Sequence, residues 1–191
     1  VTIPDLVPLM ERTLAQFSQG KVEQPLRNVF SIGPDKAYCG VMPAALSNPA
    51  AVGTKLVTIF EHNHQHGLPS HLATVVLLNP ETGALLAVLD GTYITEARTA
   101  ATSAMAAQHL AVQTDGHKLA IIGSGVQARS HLDAFVHALS VQDVRVWSPT
   151  ESHRRQFVNT MSTSTDVPLA ATSSAEEAIR GATLIVLATS S

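Results

Sequence analysis

Apolar positions follow one rhythm in the first part of the chain and another in the second. In residues 4–17, Leu6, Leu9, Met10, Leu14 and Phe17 recur at helical spacing and Gly20 follows as a stop, which predicts a helix. Three extended runs come next, at 25–32, 37–44 and 53–60, separated by the turn-rich stretches Gly33-Pro34-Asp35 and Ser47-Asn48-Pro49-Ala50-Ala51. Residues 71–78 and 85–89 flank Asn79-Pro80-Glu81-Thr82-Gly83, a turn suited to joining antiparallel strands, so the expectation is a sheet of about five strands. From Thr95 the run TEARTAATSAMAAQHL is rich in alanine and predicts a long helix, with Thr95 as N-cap and Glu96 in its first turn.

A polar stretch at 113–118 marks a change, and the expected boundary separates a domain of residues 1–113 from one of residues 114–191. Beyond it, short apolar runs at 119–122, 144–147, 167–170 and 184–188 alternate with helical patterns at 130–139, 152–161 and 175–180. In the first of these helices Leu132, Phe135, Val136 and Leu139 are the inward positions. Strand and helix in alternation predict a parallel sheet with right-handed crossovers. The fold class expected is therefore α/β: an α+β domain for substrate and dimerisation, then a Rossmann-type doubly wound sheet that stops short. The chain starts at Val1 and halts just after a strand-like run, and it reads as a fragment.

Composition narrows the function. With 45% hydrophobic and 14% charged residues the chain is that of a folded globular protein, not a disordered tail. A net charge of −3 and scattered basic residues argue against nucleic acid or an anionic membrane as partner. One cysteine, Cys39, has no intramolecular disulfide partner and reads as a small core hydrophobe. No stretch resembles a signal peptide or reaches the length of a membrane span, so a cytoplasmic setting is expected.

The chemistry concentrates in two places. Gly123-Ser124-Gly125-Val126-Gln127-Ala128 matches G-x-G-x-x-A after a buried strand and before a helix. Gly123 allows the tight turn, Gly125 lets the backbone approach a pyrophosphate, and Ala128 lets the helix lie close on the strand, while the helix N-terminus offers N–H groups to phosphate. The second strand ends in Trp147-Ser148-Pro149-Thr150, without the acid that binds an NAD ribose. Ser148, Thr150 and Arg154 or Arg155 suit a 2′-phosphate, so NADP(H) is favoured and NAD(H) allowed, and Thr189 completes the candidate cofactor set. Taken alone, the two arginines are read equally well as a solvated helix face.

The second place is cationic. Lys55 alternates with Val57 and Ile59 on one apolar face of a strand, where an ammonium calls for an anion. Arg98, expected in the first turn of the alanine-rich helix beside Thr99, and Arg27, expected early in a strand, add two more cations. Together they suggest a clamp for a carboxylate or phosphate, although each singly resembles an ordinary surface residue. His62-Asn63-His64-Gln65-His66 looks like an exposed loop without an established zinc spacing, and no metal is expected there.

The segments Gly40-Val41-Met42-Pro43-Ala44, Thr54-Lys55-Leu56-Val57-Thr58, Pro69-Ser70-His71-Leu72-Ala73-Thr74, Thr82 through Gly91 and Ile94-Thr95-Glu96-Ala97-Arg98-Thr99-Ala100-Ala101 resemble, in order, the ornithine cyclodeaminase and mu-crystallin family. The phosphate loop fits the same family, and the wording is nearest to the ketimine reductase branch. The resemblance implies Arg27, Lys55 and Arg98 around a substrate carboxylate, with Arg98, Thr99 and Thr74 reaching the nicotinamide half of the cofactor. It implies a homodimer through the first domain's sheet and an NAD(P)H-dependent reductase of cyclic ketimine carboxylates, with Lys55 as the candidate catalytic group. Where that branch has Asn-Arg-Thr this chain has Ser148-Pro149-Thr150, which weakens the NADP expectation. Two alternatives remain open. One is a cyclodeaminase, whose catalytic aspartate belongs to a stretch beyond residue 191. The other is a non-catalytic, nucleotide-linked protein that holds an aromatic carboxylate such as a thyroid hormone.

Overall fold

The computed structural model describes residues 2–33 and 37–189; most of the turn expected at Gly33-Pro34-Asp35 lies outside them. By packing, Arg12–Thr95 forms one compact unit, and Val1–Glu11 with Glu96–Ser191 forms the other. The division falls inside helices α1 (Ile3–Ser18) and α2 (Gly91–Leu110), whereas the composition shift at 113–118 marks where α2 has ended and the strand–helix alternation starts.

The first unit is built on an antiparallel sheet of β1 (Val22–Glu23), β2 (Asn28–Ile32), β3 (Ala37–Ser47), β4 (Ala50–Phe60), β5 (His71–Leu78) and β6 (Leu85–Asp90). The order is β1-β3-β4-β5-β6, with β2 also on β3, so the sheet has six strands where five were expected. The extra member is β1, two residues too short to carry a periodic signal. Strands β3 and β4 run to 11 residues each because Ser47 pairs Ala50, which leaves only Asn48-Pro49 as the turn. Residues opposite one another in register share a face, so Met42, Lys55, Val75 and Leu89 form one cross-strand row. The histidine stretch is a 3-10 turn, Glu61–His66, closed by Gly67 at φ 68 rather than an irregular loop.

Helix α2 begins five residues earlier than the pattern suggested. Asp90 is its cap: the Asp90 carboxylate accepts the Thr92 N–H at 2.8 Å, the geometry expected of an N-cap. Gly91 follows because the helix starts hard against β5, where a Cβ would lie 2.9 Å from the Ala73 carbonyl carbon. Thr95 is therefore a helix-interior residue, and Glu96 and Arg98 lie beyond the first turn. That removes the helix dipole from the argument for Arg98, since the effect fades within the first turn.

In the second unit, β7 (His117–Ile122), β8 (Val141–Trp147), β9 (Leu169–Ala171) and β10 (Leu184–Leu187) form a parallel sheet in the order β10-β7-β8-β9. Helices α3 (Val126–Ala138), α4 (Glu151–Met161) and α5 (Ala175–Ile179) provide the crossovers. Leu119, Ile121, Val144 and Val146 are buried between Leu132, Phe135 and Phe157. Ala97, Ala100, Ala101 and Ala104, at i, i+3, i+4, i+7, join this core as a stripe of small side chains that admits close helix packing. Strand order reverses between β7 and β10, and the crevice beyond their carboxyl ends is where such sheets hold ligands.

Candidate functional site

The phosphate-loop candidate leaves β7 at that crevice. Gly123 has φ 127, and a Cβ there would collide with the carbonyl of Ala188 at the end of β10, so both the turn and the neighbouring strand require glycine. Gly123 N–H donates to the Trp147 carbonyl at 2.7 Å, fixing the loop to β8. Gly125 is different: a Cβ there would meet nothing of the chain within 4 Å. It caps α3 without any side-chain acceptor, which leaves the first-turn N–H groups directed outward. Val126 is exposed at the helix start and Ala128 is fully buried against the sheet. Gln127 carries a buried Oε1 with no partner among the described residues. A bare glycine backbone and an uncapped helix start are the features a pyrophosphate-bearing cofactor would use. Gly125→Ala is therefore expected to leave the thermal midpoint within experimental error while weakening nucleotide affinity by about tenfold or more, read by fluorescence titration in parallel with calorimetry.

At the end of β8 the residues proposed for the ribose side adopt distinct roles. Ser148 is 5% exposed, and its hydroxyl is held within the protein, accepting from Ser124 at 3.0 Å and donating to the Thr150 carbonyl at 3.4 Å. Arg154 donates from Nη1 to the Ser148 carbonyl at 3.1 Å, which pins its guanidinium at the strand end. Arg155 instead pairs with Glu151 at 2.7 Å on the solvent side of α4. Arg154, Arg155, Thr172 and Ser173 line a polar cavity between α4 and the end of β9. Thr150 is the N-cap of α4 with no side-chain cap bond, and Thr189 is exposed just after β10.

In the sheet unit, Lys55 is half-buried, and its ammonium donates to Thr95 Oγ1 at 3.4 Å. The strand alternation thus turns Lys55 toward the start of α2. Arg27 is not in a strand: it precedes β2 and is exposed. The paired register of β2 begins at Asn28 opposite Val41, so Arg27 stands just before it, next to the end of the β2–β3 pairing. Thr74 pairs Leu56 and Asp90, the neighbouring row, so alternation turns it to the opposite face from Lys55. Arg98 is exposed at its surface, yet surrounding protein desolvates its guanidinium enough to lower its pKa. None of the ion pairs among the described residues includes it. Thr99 follows on the same helix and is partly buried.

Two features escaped the periodic reading. Thr95 accepts a hydrogen bond from Lys55, a role invisible while it stood as a helix cap. His131 is buried, at 8% exposure, and reaches from α3 to Ser103 of α2. Its only sequence signal is its place four residues after Gln127 on an otherwise apolar helix face. Among the described residues no cluster of three metal-ligating side chains occurs, and no helix is long and apolar enough to cross a membrane.

Against known proteins the match is extensive. The family model described as the ornithine cyclodeaminase/mu-crystallin family covers residues 1–191. Mouse ketimine reductase mu-crystallin is 40% identical over 187 residues, 96% of this chain and 58% of that protein. The Thermococcus litoralis Δ1-pyrroline-2-carboxylate reductase, solved with NADH and L-proline, superposes with a TM-score of 0.93 at 31% identity, covering 99% of this chain and 58% of that one. The iminosuccinate reductase of Paracoccus denitrificans, solved with NAD+, has a TM-score of 0.86 at 25% identity, covering 100% and 58%. The chain thus spans a little over half the length of these relatives. With the family model matching residues 1–191 and a relative 40% identical over 96% of this chain, the chain belongs to the ornithine cyclodeaminase/mu-crystallin family.

Proposed function

We propose that the protein carrying this chain is an NAD(P)H-dependent reductase of cyclic ketimine carboxylates of the piperideine- or pyrroline-2-carboxylate type. The observation that carries this reading is Lys55, a half-buried ammonium in an apolar sheet, in a chain that also has a glycine cradle suited to a pyrophosphate. The relatives are named for imino-acid reduction, and their substrates share a carboxylate beside a C=N bond, the group a cationic clamp would hold. When bound, the reduced nicotinamide supplies hydride to the imine carbon. The chain's own residues do the rest. Lys55, with Arg27 and Arg98, binds and orients the carboxylate through charge-assisted hydrogen bonds. Cations around that carboxylate fix the ring so that its carbon is presented for reduction, while Lys55 assists delivery of a proton to the imine nitrogen. Arg98 and Thr99 are assigned to the nicotinamide half and Gly123 to Ala128 to the pyrophosphate, while Thr74, turned to the face opposite Lys55, is left out of the site.

NADP(H) is the preferred cofactor in this reading, because Arg154 is tethered at the end of β8 and no acid stands there. Arg154→Ala is expected to raise the KM for NADPH about tenfold and leave that for NADH nearly unchanged, as measured by initial rates with each. Dimerisation through the sheet is part of the same proposal: Phe30, Leu56, Leu72 and Val88 are exposed apolar side chains on the face opposite Lys55. The deciding experiment incubates the protein with NADPH and a cyclic ketimine carboxylate and identifies the cyclic amino acid formed. Ammonia released from ornithine with catalytic NAD would favour a cyclodeaminase instead, and tight ligand binding without turnover would favour a storage role.

A further inference from the structure

We propose that His131 is a positioning residue that sets the phosphate loop through the first turn of α3 and locks it to α2 through Ser103. The proposal rests on the nucleotide site argued above. Both ring nitrogens of His131 are engaged: Nδ1 lies 2.7 Å from the Gln127 carbonyl and Nε2 lies 3.0 Å from Ser103 Oγ. A carbonyl accepts only, so Nδ1 carries the proton. Burial lowers the pKa of His131, which favours the neutral ring, and Nε2 is then an acceptor for the Ser103 hydroxyl.

The consequence for the loop is geometric. The Gln127 carbonyl and the Ala128 N–H belong to one planar peptide unit and point in opposite directions along the helix. A hydrogen bond on that carbonyl therefore orients and polarises an N–H that faces the open end of α3 beside Gly125. The same side chain reaches α2 one turn after Arg98 and Thr99, where the Thr99 carbonyl, 3.2 Å from Ser103 Oγ, competes with His131 Nε2 for the single hydroxyl proton. Ala100, Ala101 and Ala104 of α2 and Ala128, Leu132 and Phe135 of α3 belong to one apolar core, and apolar packing is not directional. A second polar link, Gln108 Nε2 to the Ala138 carbonyl at 2.9 Å, lies at the far ends of both helices. Of these two links, the Ser103–His131 bond is the one nearer the phosphate loop. His137 provides an internal control: it makes the same backward bond, to the Asp133 carbonyl at 2.8 Å, but is exposed and makes no hydrogen bond to α2.

The test uses the full-length protein and measures NADPH affinity by fluorescence titration, kcat and KM for a ketimine carboxylate, and the thermal midpoint. His131→Leu and Ser103→Ala are each expected to raise the NADPH Kd about three- to tenfold, the worth of one buried hydrogen bond, with the double variant no worse than His131→Leu. His131→Gln, which retains a donor and an acceptor, is expected to recover part of that loss, and His137→Ala to leave Kd unchanged. A lowered midpoint with unchanged Kd in Ser103→Ala, or equal Kd losses in the His137 control, would overturn the proposal. Wild-type protein that binds no NAD(P)H would overturn it together with the nucleotide site. Wild-type protein that binds NADPH tightly but reduces no ketimine would remove the reductase reading alone.

Discussion

Replacing Lys55 or Arg98 with alanine should lower kcat/KM for a cyclic ketimine carboxylate by about a hundredfold or more in each case. Each tenfold corresponds to about 1.4 kcal/mol of transition-state stabilisation, and a charge-assisted bond to a carboxylate contributes on the order of 1.5–3 kcal/mol. Lys55 sits in a row flanked by Met42 and Val75, so its ammonium has little water to replace a lost anion contact. Steady-state kinetics with NADPH saturating is the measurement, paired with thermal denaturation, since Lys55 also donates to Thr95 and its loss costs that bond as well. Lys55→Met separates the two effects, because it fills the same apolar row without the charge. Unchanged kcat/KM in both alanine variants would remove the carboxylate clamp, and with it the assignment of Lys55 as a catalytic group.

Gly123→Ala is the second change with a large expected effect, and it acts through the backbone. At φ 127 an L side chain is strained by about 1–3 kcal/mol. The new methyl would also strike the Ala188 carbonyl, adding on the order of 1–3 kcal/mol of overpacking. The carbonyl cannot retreat freely, because the Ala188 N–H is bonded to Ile122 at 2.8 Å as β10 pairs with β7. The expected result is a loss of several kcal/mol in chemical denaturation and no measurable nucleotide binding. Contrast with Gly125→Ala gives the comparison its force: two glycines of one motif, one required by the protein's own backbone and the other left open on the ligand side. Equal stability losses in the two variants would refute that division.

Much of this site was legible before any coordinates. The phosphate loop announced itself because Gly123, Gly125 and Ala128 stand between a buried strand and an amphipathic helix, a local arrangement that three spaced small residues suffice to encode. Lys55 was legible because period-two alternation exposes a charge on an apolar face. Helix α2 was recognised by its alanines but begun at the wrong residue. Gly91, Thr92 and Ile94 are poor helix formers, and the pattern offered no reason to prefer Asp90 over Thr95 as cap. That reason is tertiary: the helix must begin where β5 lies beneath it, and Gly91 is the residue that fits there.

Periodicity and spacing by themselves determined the two structural regimes, the parallel and antiparallel sheets, the glycine loop and the cationic lysine. These follow from contacts between residues close in sequence, where one period selects one local geometry. Tertiary structure alone decided which distant residues share a site. Strand register turns Thr74 to the face opposite Lys55, helix packing joins His131 to Ser103, and the end of β10 makes glycine obligatory at 123. Such pairings depend on register and packing, which close only when the whole unit folds, and no short stretch of the chain contains both partners.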